Sequence, residues 1–132
     1  MEQGTPDTPN CSEFIYRLVA AIEAAGVRVD LHAHHLEAEE VCGRCHYPTD
    51  PKGPLIEINE PSARMALMVV AHEWGHYISW EKLHEMFPDI EVKGRETLAY
   101  ILGWEVLSEM SAPITRDEWD DLHADIKSLE KD

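Results

Sequence analysis

Positive charge is scarce in this sequence of 132 residues, which has 11 lysines and arginines against 26 aspartates and glutamates. The formal net charge is −15, whereas a protein that binds nucleic-acid phosphates needs a basic surface. The charge therefore argues against nucleic acid as a partner and would suit a basic protein substrate. A hydrophobic share of 44% and four tryptophans nonetheless predict a packed fold rather than disorder.

Apolar runs of membrane-spanning length are also missing, and the polar, proline-containing first ten residues lack the pattern of a signal peptide. The sequence therefore predicts a cytoplasmic protein with no membrane partner. We expect residues 1–10 to form a flexible tail and residues 11–132 to form a single domain. The sequence carries no indication of the oligomeric state.

Cysteine is rare, and Cys11 has no partner in the sequence pattern, as expected in a reducing compartment. Cys42, Cys45 and His46 form the sequence Cys-x-x-Cys-His, but c-type haem attachment, which uses this pattern, belongs to exported proteins. A redox role would need a strand before the pair and a helix after it, whereas prolines follow.

A structural zinc site is a further interpretation of this segment, because Cys42 and Cys45 can supply two of the four ligands that such a site needs. The other two would come from four histidines in the same region: His32, His34, His35 and His46. The alternative is a reduced cysteine pair in a hairpin near the cleft.

The strongest chemical signal is the segment from His72 to His76, which fits the zinc-binding pattern His-Glu-x-x-His. Residues four apart on a helix lie nearly above one another, so both histidines can bind one metal ion. Glu73 lies about 100° round the helix, beside the metal rather than on it. A carboxylate there can take a proton from a zinc-bound water, whose pKa falls to about 7. The pattern therefore predicts zinc-dependent hydrolysis with Glu73 as the general base.

The residues around this motif, 61–87, are mostly helix formers, with Pro61 and Ser62 at the expected start and Pro88 just beyond the end. Apolar residues cover nearly the whole circumference, which predicts a helix in the core. Its histidines and glutamate need partners, since an unpaired buried polar group costs about 1–3 kcal/mol. Metal binding would satisfy them. The alternative is two core histidines bonded to backbone carbonyls, with Glu73 at the surface.

A catalytic zinc usually has three protein ligands and a water molecule. The candidates for the third ligand follow the motif in the sequence: Glu81, His84, Glu85, Asp89, Glu91, Glu96 and Glu105. A metzincin would have a histidine at the position of Lys82, so that class is excluded.

A second helix is predicted over residues 94–110, and it separates two of these glutamates. Glu96 shares a face with Ala99 and Gly103, which are small enough to let this helix pack closely on the first, whereas Glu105 projects from a polar face. We therefore expect Glu96 to complete the metal site. The alternative is a solvated carboxylate in the first turn of the helix, where the helix dipole favours it.

These residues resemble a known group of enzymes, the gluzincins, in which a helical glutamate follows the His-Glu-x-x-His helix. More closely, residues 96–103, Glu-Thr-Leu-Ala-Tyr-Ile-Leu-Gly, resemble the Glu-x-x-Ala-Asn-x-Phe-Ala helix of the ImmA/IrrE metallopeptidases. Residues 55–59 resemble the short strand before the active-site helix of that family. The resemblance covers roughly residues 40–110, and Tyr100 and Gly103 depart from the family pattern.

The resemblance implies that His72, His76 and Glu96 bind zinc and that Glu73 acts as general base and then general acid. It also implies cleavage or control of another protein, often a transcriptional repressor.

Two further side chains are candidates for stabilising the transition state. Tyr100 projects within about 40° of Glu96 and could donate a hydrogen bond to the developing oxyanion. His84 lies two turns beyond His76 and could line the cleft. The alternatives are core packing for Tyr100, with its hydroxyl at the surface, and a surface position for His84.

The whole sequence predicts an α+β fold of the minimal zincin type, with three or four helices beside a small, mostly antiparallel sheet. Further helices are expected over residues 13–25 and from a Thr115 cap, with Glu118 as its capping-box partner, to about residue 129. Strands are expected at residues 27–31 and 55–58. The second strand would border the cleft and offer its free edge to an extended peptide.

The expected reaction is zinc-dependent hydrolysis of a peptide bond in a protein substrate, such as a regulatory protein, with the metal between the His72 and Glu96 helices. A competing interpretation is a metal-binding regulatory or interaction protein that keeps the zincin fold and the site but cleaves nothing.

Overall fold

The structure is a computed structural model that describes residues 11–39, 43–60, 62–86 and 92–129. The predicted α+β class is confirmed. The helices and strands within these ranges are α1 (Cys11–Ala24), β1 (Arg28–Asp30), a 3₁₀ helix (His34–Glu39), β2 (Gly43–His46), β3 (Leu55–Ile58), α2 (Ala63–Leu83), α3 (Val92–Glu109) and α4 (Arg116–Leu129). The expected tail of residues 1–10 lies outside the described residues.

Strand β3 is the central strand of a three-stranded sheet with the order β1-β3-β2. It pairs in parallel with β1 and antiparallel with β2. The sheet is therefore mixed, where mostly antiparallel pairing was expected. Strands β1 and β3 run in the same direction, and the 3₁₀ helix and β2 lie between them in the sequence. Because β3 has a neighbour on each side, the edge strands of this sheet are β1 and β2.

Both faces of β3 are buried, although its sequence alternates. Ile56 and Ile58 belong to the main core. On the opposite face Glu57 is only 3% exposed, and the Nε2 atom of His35, in the 3₁₀ helix, lies 3.2 Å from Oε2 of Glu57. His46 and Lys52 also contact this carboxylate, so three side chains with nitrogen donors surround it.

Helix α1 packs on the core through one stripe of side chains that includes Ile15, Leu18 and Ile22. It ends before Gly26, whose φ of 93° is a left-handed conformation that glycine adopts without steric cost. The helix predicted for residues 13–25 therefore exists and begins two residues earlier.

Helix α2 runs through the centre of the molecule, as its apolar circumference predicts. Its N-cap is Ser62, whose side chain accepts a hydrogen bond from the backbone N–H of Met65. The consecutive residues from Ala66 to Glu73 are all buried. Polar groups in this segment must therefore find partners inside the protein.

The backbones of α2 and α3 approach each other closely where Gly75 faces Ala99. A Cβ added at Gly75 would lie 2.7 Å from the carbonyl oxygen of Ala99 and 3.1 Å from the backbone nitrogen of Gly103. A Cβ added at Gly103 would lie 2.9 Å from the carbonyl oxygen of Ala71. This close packing is the one that the small residues of the second helix predict, and it also needs the glycine inside the His-Glu-x-x-His motif.

The start of α4 is joined to the start of α2 by charged hydrogen bonds. Thr115 and Glu118 form the predicted capping box, in which Oγ1 of Thr115 accepts from the N–H of Glu118 at 3.2 Å and Oε1 of Glu118 accepts from the N–H of Thr115 at 2.8 Å. Arg64 of α2 donates to both carboxylate oxygens of Glu118 and, at 2.6 Å, to the carbonyl oxygen of Pro113. This bidentate contact fixes where α4 packs on α2.

We predict that Gly75→Ala lowers the free energy of unfolding by about 1–3 kcal/mol, because the added methyl group meets rigid backbone rather than a side chain that can move. Denaturant unfolding would measure the change. The matched control is Ser108→Ala on the exposed side of α3, which should stay within about 0.5 kcal/mol of the wild type. An unchanged Gly75→Ala protein would contradict the close approach of the helices.

A second prediction concerns acid stability. The hydrogen bond from Arg64, partly opposed by burial, lowers the pKa of Glu118 from 4.5 to about 2. A carboxyl group with a lowered pKa stabilises the fold above its ordinary pKa, and this stabilisation is lost as the pH falls. The difference in unfolding free energy between the wild type and Glu118→Gln, about 1–2 kcal/mol at pH 7, should therefore shrink between pH 4.5 and pH 2. A difference that is constant over this range would disprove the charged contact.

Candidate metal centre

Three side chains from α2 and α3 meet in the core to form a group that can hold a metal ion: His72, His76 and Glu96. The Nε2 atom of His72 lies 3.2 Å from Oε1 of Glu96, and Nε2 of His76 lies 2.8 Å from Oε2 of the same residue. All three residues are buried, and their ligand atoms lie within 4.8 Å of one another. Among the described residues, no other set of histidine, cysteine, aspartate or glutamate side chains meets these conditions.

The helices place each member of this group. His72 and His76 are four residues apart on α2, so their rings lie one turn apart on the same face, with centroids separated by 4.7 Å. Glu96 lies near the beginning of α3 but is only 5% exposed, so it is not the solvated first-turn carboxylate of the alternative interpretation. Glu105, by contrast, is exposed. The helical-face argument therefore identifies which glutamate turns inward.

A third buried histidine, His123 of α4, contacts the ring of His72 on the side away from Glu96. Its Nδ1–H donates to the carbonyl oxygen of Trp119 at 2.8 Å, and its Nε2 lies 2.8 Å from Nδ1 of His72. Burial lowers the pKa of His123 to about 4, so the ring is neutral at pH 7 and its Nε2 can only accept a hydrogen bond. Nδ1 of His72 must then be the donor.

The consequence for His72 is a fixed tautomer. With its proton on Nδ1, the lone pair lies on Nε2, the atom that faces His76 and Glu96. Metal-binding histidines generally donate their other ring N–H to such an outer partner, which orients the ring. His123 is not among the site residues predicted from the sequence, although its place on the stripe of Trp119 and Leu122 marks it as a buried polar group.

Glu73, the expected general base, lies beside the metal group and lines the same cavity. This cavity has a volume of about 510 Å³ and is bounded by α2, α3 and strand β2. His76 and Glu96 reach it from the metal group, and Arg95 lines it from α3. A substrate in this cavity would meet the metal ligands and the carboxylate of Glu73 together.

The opposite wall of the cavity comes from β2 and the turn after it. Cys45 and Tyr47 line the wall, and the ring of Tyr47 stacks on Trp80 with a centroid separation of 5.2 Å. Burial, followed by the negative charges of Glu73 and Asp50, raises the pKa of the Cys45 thiol. The thiol is therefore protonated at neutral pH, and this environment is the opposite of one that activates a cysteine.

The residues proposed for a second metal site do not share one face of β2. Cys45 and His46 are adjacent in the strand, so their side chains point to opposite faces. Nε2 of His46 lies 2.6 Å from Oε1 of Glu57. Cys42 lies outside the described residues, so its part in such a site stays a prediction.

The two candidates for transition-state stabilisation both have other partners. The hydroxyl of Tyr100 donates to Asp120 and accepts from Nε of Arg116 at 2.8 Å, on the α4 side of α3. His84 forms the C-cap of α2; its Nδ1 donates to the carbonyl oxygen of Trp80 at 2.8 Å, and its ring stacks on Trp80. The structure therefore gives Tyr100 and His84 roles in packing, and a role in the reaction stays a prediction for both.

No protein-family model matches this chain, and no curated protein or solved structure shows significant similarity to it. Within the described residues, no helix combines the length and apolar character that crossing a membrane requires.

We predict that His123→Ala weakens metal binding about 10–100-fold, because the ring of His72 loses the acceptor that fixes its tautomer. Competition with a chromogenic chelator would measure the affinity. The matched control is His84→Ala, which removes a histidine outside the metal group and should leave the affinity unchanged. Equal affinities in the wild type and His123→Ala would refute the orienting role.

Proposed function

We propose that this protein is a zinc-dependent metallopeptidase that hydrolyses peptide bonds in a protein substrate. The observation that supports it most strongly is the convergence of His72, His76 and Glu96 in the core with Glu73 beside them in an open cavity. A metal group without a general base, or without access for a substrate, would support binding alone. The resemblance to gluzincins and to the ImmA/IrrE family supports the same reaction. We propose a cytoplasmic location for the protein.

Zinc is the metal that these ligands favour. Two imidazole nitrogens and one carboxylate form one of the standard ligand sets of catalytic zinc, with a fourth position left for water. Ligand atoms about 2.0–2.2 Å from a tetrahedral zinc ion lie roughly 3.3 Å apart. The distance of 3.2 Å between Nε2 of His72 and Oε1 of Glu96 is close to this spacing, and the distance of 2.8 Å between Nε2 of His76 and Oε2 of Glu96 is shorter.

Different residues of the chain have different roles in the proposed reaction. A bound zinc ion would supply a Lewis acid and would make a water molecule acidic. The carboxylate of Glu73 would take the proton from the attacking water and would then pass it to the nitrogen of the leaving amine. His72, His76 and Glu96 would hold the ion, and their burial would keep competing water away from the ligand atoms.

Strand β2 is positioned to bind the peptide. It is the edge strand of the sheet on the side of the cavity, and Gly43 and Cys45 line the cavity wall. An extended peptide can add to such an edge by backbone hydrogen bonds, which bind it without requiring one sequence. Strand β3, at residues 55–58, has no free edge because it is paired on both sides, and of the two edge strands it is β2 that lines the cavity.

We predict that Glu73→Gln lowers the rate of peptide hydrolysis about 10²–10⁴-fold while zinc binding is retained, because the amide cannot accept the proton. Hydrolysis of a fluorescein-labelled protein and zinc content per chain would be measured together. Glu105→Gln, an exposed glutamate of α3, is the matched control and should behave as the wild type.

The same pair of measurements distinguishes the two candidate functions. Hydrolysis that survives Glu73→Gln with zinc still bound would refute the peptidase mechanism. A wild-type protein that binds zinc tightly but hydrolyses no peptide would leave the metal-binding regulatory protein as the function. Loss of zinc in His72→Ala and Glu96→Ala is expected in either case.

A further inference from the structure

We propose that Tyr47 is the catalytic residue that donates a hydrogen bond to the oxyanion formed during peptide hydrolysis. This assignment rests on the proposed peptidase function and adds to it a residue from the sheet side of the cavity. Tyr100, the tyrosine that the sequence favours for this role, has its hydroxyl bonded to Asp120 and Arg116.

Tyr47 lines the same cavity as the proposed reacting groups. It follows β2 directly and lines the cavity that contains Glu73, His76 and Glu96. Its ring stacks on Trp80, which lies one helical turn beyond His76 on the same face of α2. The ring therefore lies alongside the metal-binding face of that helix, across the cavity from α3.

The backbone of Tyr47 is held rigidly, as a preorganised donor requires. Its N–H donates to Oδ2 of Asp50 at 2.8 Å, and its carbonyl oxygen accepts from the N–H of Asp50 at 2.8 Å. Gly53 lies so close that an added Cβ would be 1.7 Å from that carbonyl oxygen. Together with the stacking on Trp80, these contacts fix both ends of the residue.

The hydroxyl of Tyr47 is available for a substrate. Within the described ranges it makes no hydrogen bond, in contrast to the hydroxyl of Tyr100. A tyrosine is protonated at neutral pH, so this group can donate to a developing negative charge. Arg95 also lines the cavity, but it is exposed, and solvent weakens the attraction of an exposed cation. Tyr47 is therefore the donor whose environment best suits an oxyanion.

The test compares the zinc-loaded wild type with Tyr47→Phe, which keeps the ring and its stacking on Trp80. For the fluorogenic peptide that the wild type cleaves fastest, we expect kcat to fall about 10²-fold while KM changes less than about threefold. A readout independent of turnover is the binding of two inhibitors by calorimetry. A phosphinic peptide, which mimics the tetrahedral oxyanion, should bind about 10–100-fold more weakly, whereas a thiol peptide, which carries no oxyanion, should bind equally well.

The matched control is Tyr16→Phe, a tyrosine of α1 that is 70% exposed, which should change neither kcat nor phosphinic-peptide affinity, and unfolding curves should show that both variants are folded. A Tyr47→Phe protein with wild-type kcat and wild-type phosphinic-peptide affinity would overturn the assignment while leaving the peptidase function intact. Equal weakening of both inhibitors would also overturn it, since the loss would then be general. A wild type that cleaves nothing and binds neither inhibitor would instead refute the proposed function, and this assignment with it.

Discussion

The contact between α2 and α3 at Gly75 is the constraint on which the candidate metal centre depends. Two of its side chains come from α2 and the third from α3, so their spacing is set by the distance between two helix axes. That distance is short because Gly75 brings no side chain against Ala99 and because Gly103 brings none against Ala71. Gly75 is thus as necessary for the geometry as the ligands, although it binds nothing.

Close packing also creates an electrostatic problem, because it buries two histidines and a glutamate in an apolar core. A series of polar contacts satisfies these buried groups. Glu96 contacts both histidine rings, and His72 in turn donates to His123. His123 donates to the carbonyl oxygen of Trp119, so the chain of hydrogen bonds ends on the backbone of α4. Helix α4 is therefore part of the metal centre, and the charged contact between Arg64 and Glu118 that positions it contributes to the site from a distance.

The parts of this site that could be predicted from the sequence are those that local geometry determines. The i, i+4 spacing of His72 and His76 and the inward face of Glu96 follow from helical periodicity, and the capping box at Thr115 follows from two residues three positions apart. The order of the strands, and with it the identity of the edge strand, depends on pairing between distant segments. The positions of Tyr47 and His123 at the site could not be predicted from the sequence for the same reason, since each reaches the site only through packing between distant elements.

The net charge of the chain likewise does not describe the charge around the cavity, because the fold determines which charged residues line it. A charge of −15 describes the whole chain, but the cavity is lined by Arg44 and Arg95 as well as by Asp50, Glu73 and Glu96. A divalent ion on the metal group would offset two of these carboxylates. Under the proposed function, the acidic surface would act mainly on the encounter with a basic protein, at distances that salt screens beyond about 8–10 Å. The choice of the peptide bond would depend instead on the nearly balanced charges inside the cavity, so attraction of a substrate and selection of its cleavage site would be separate properties of the molecule.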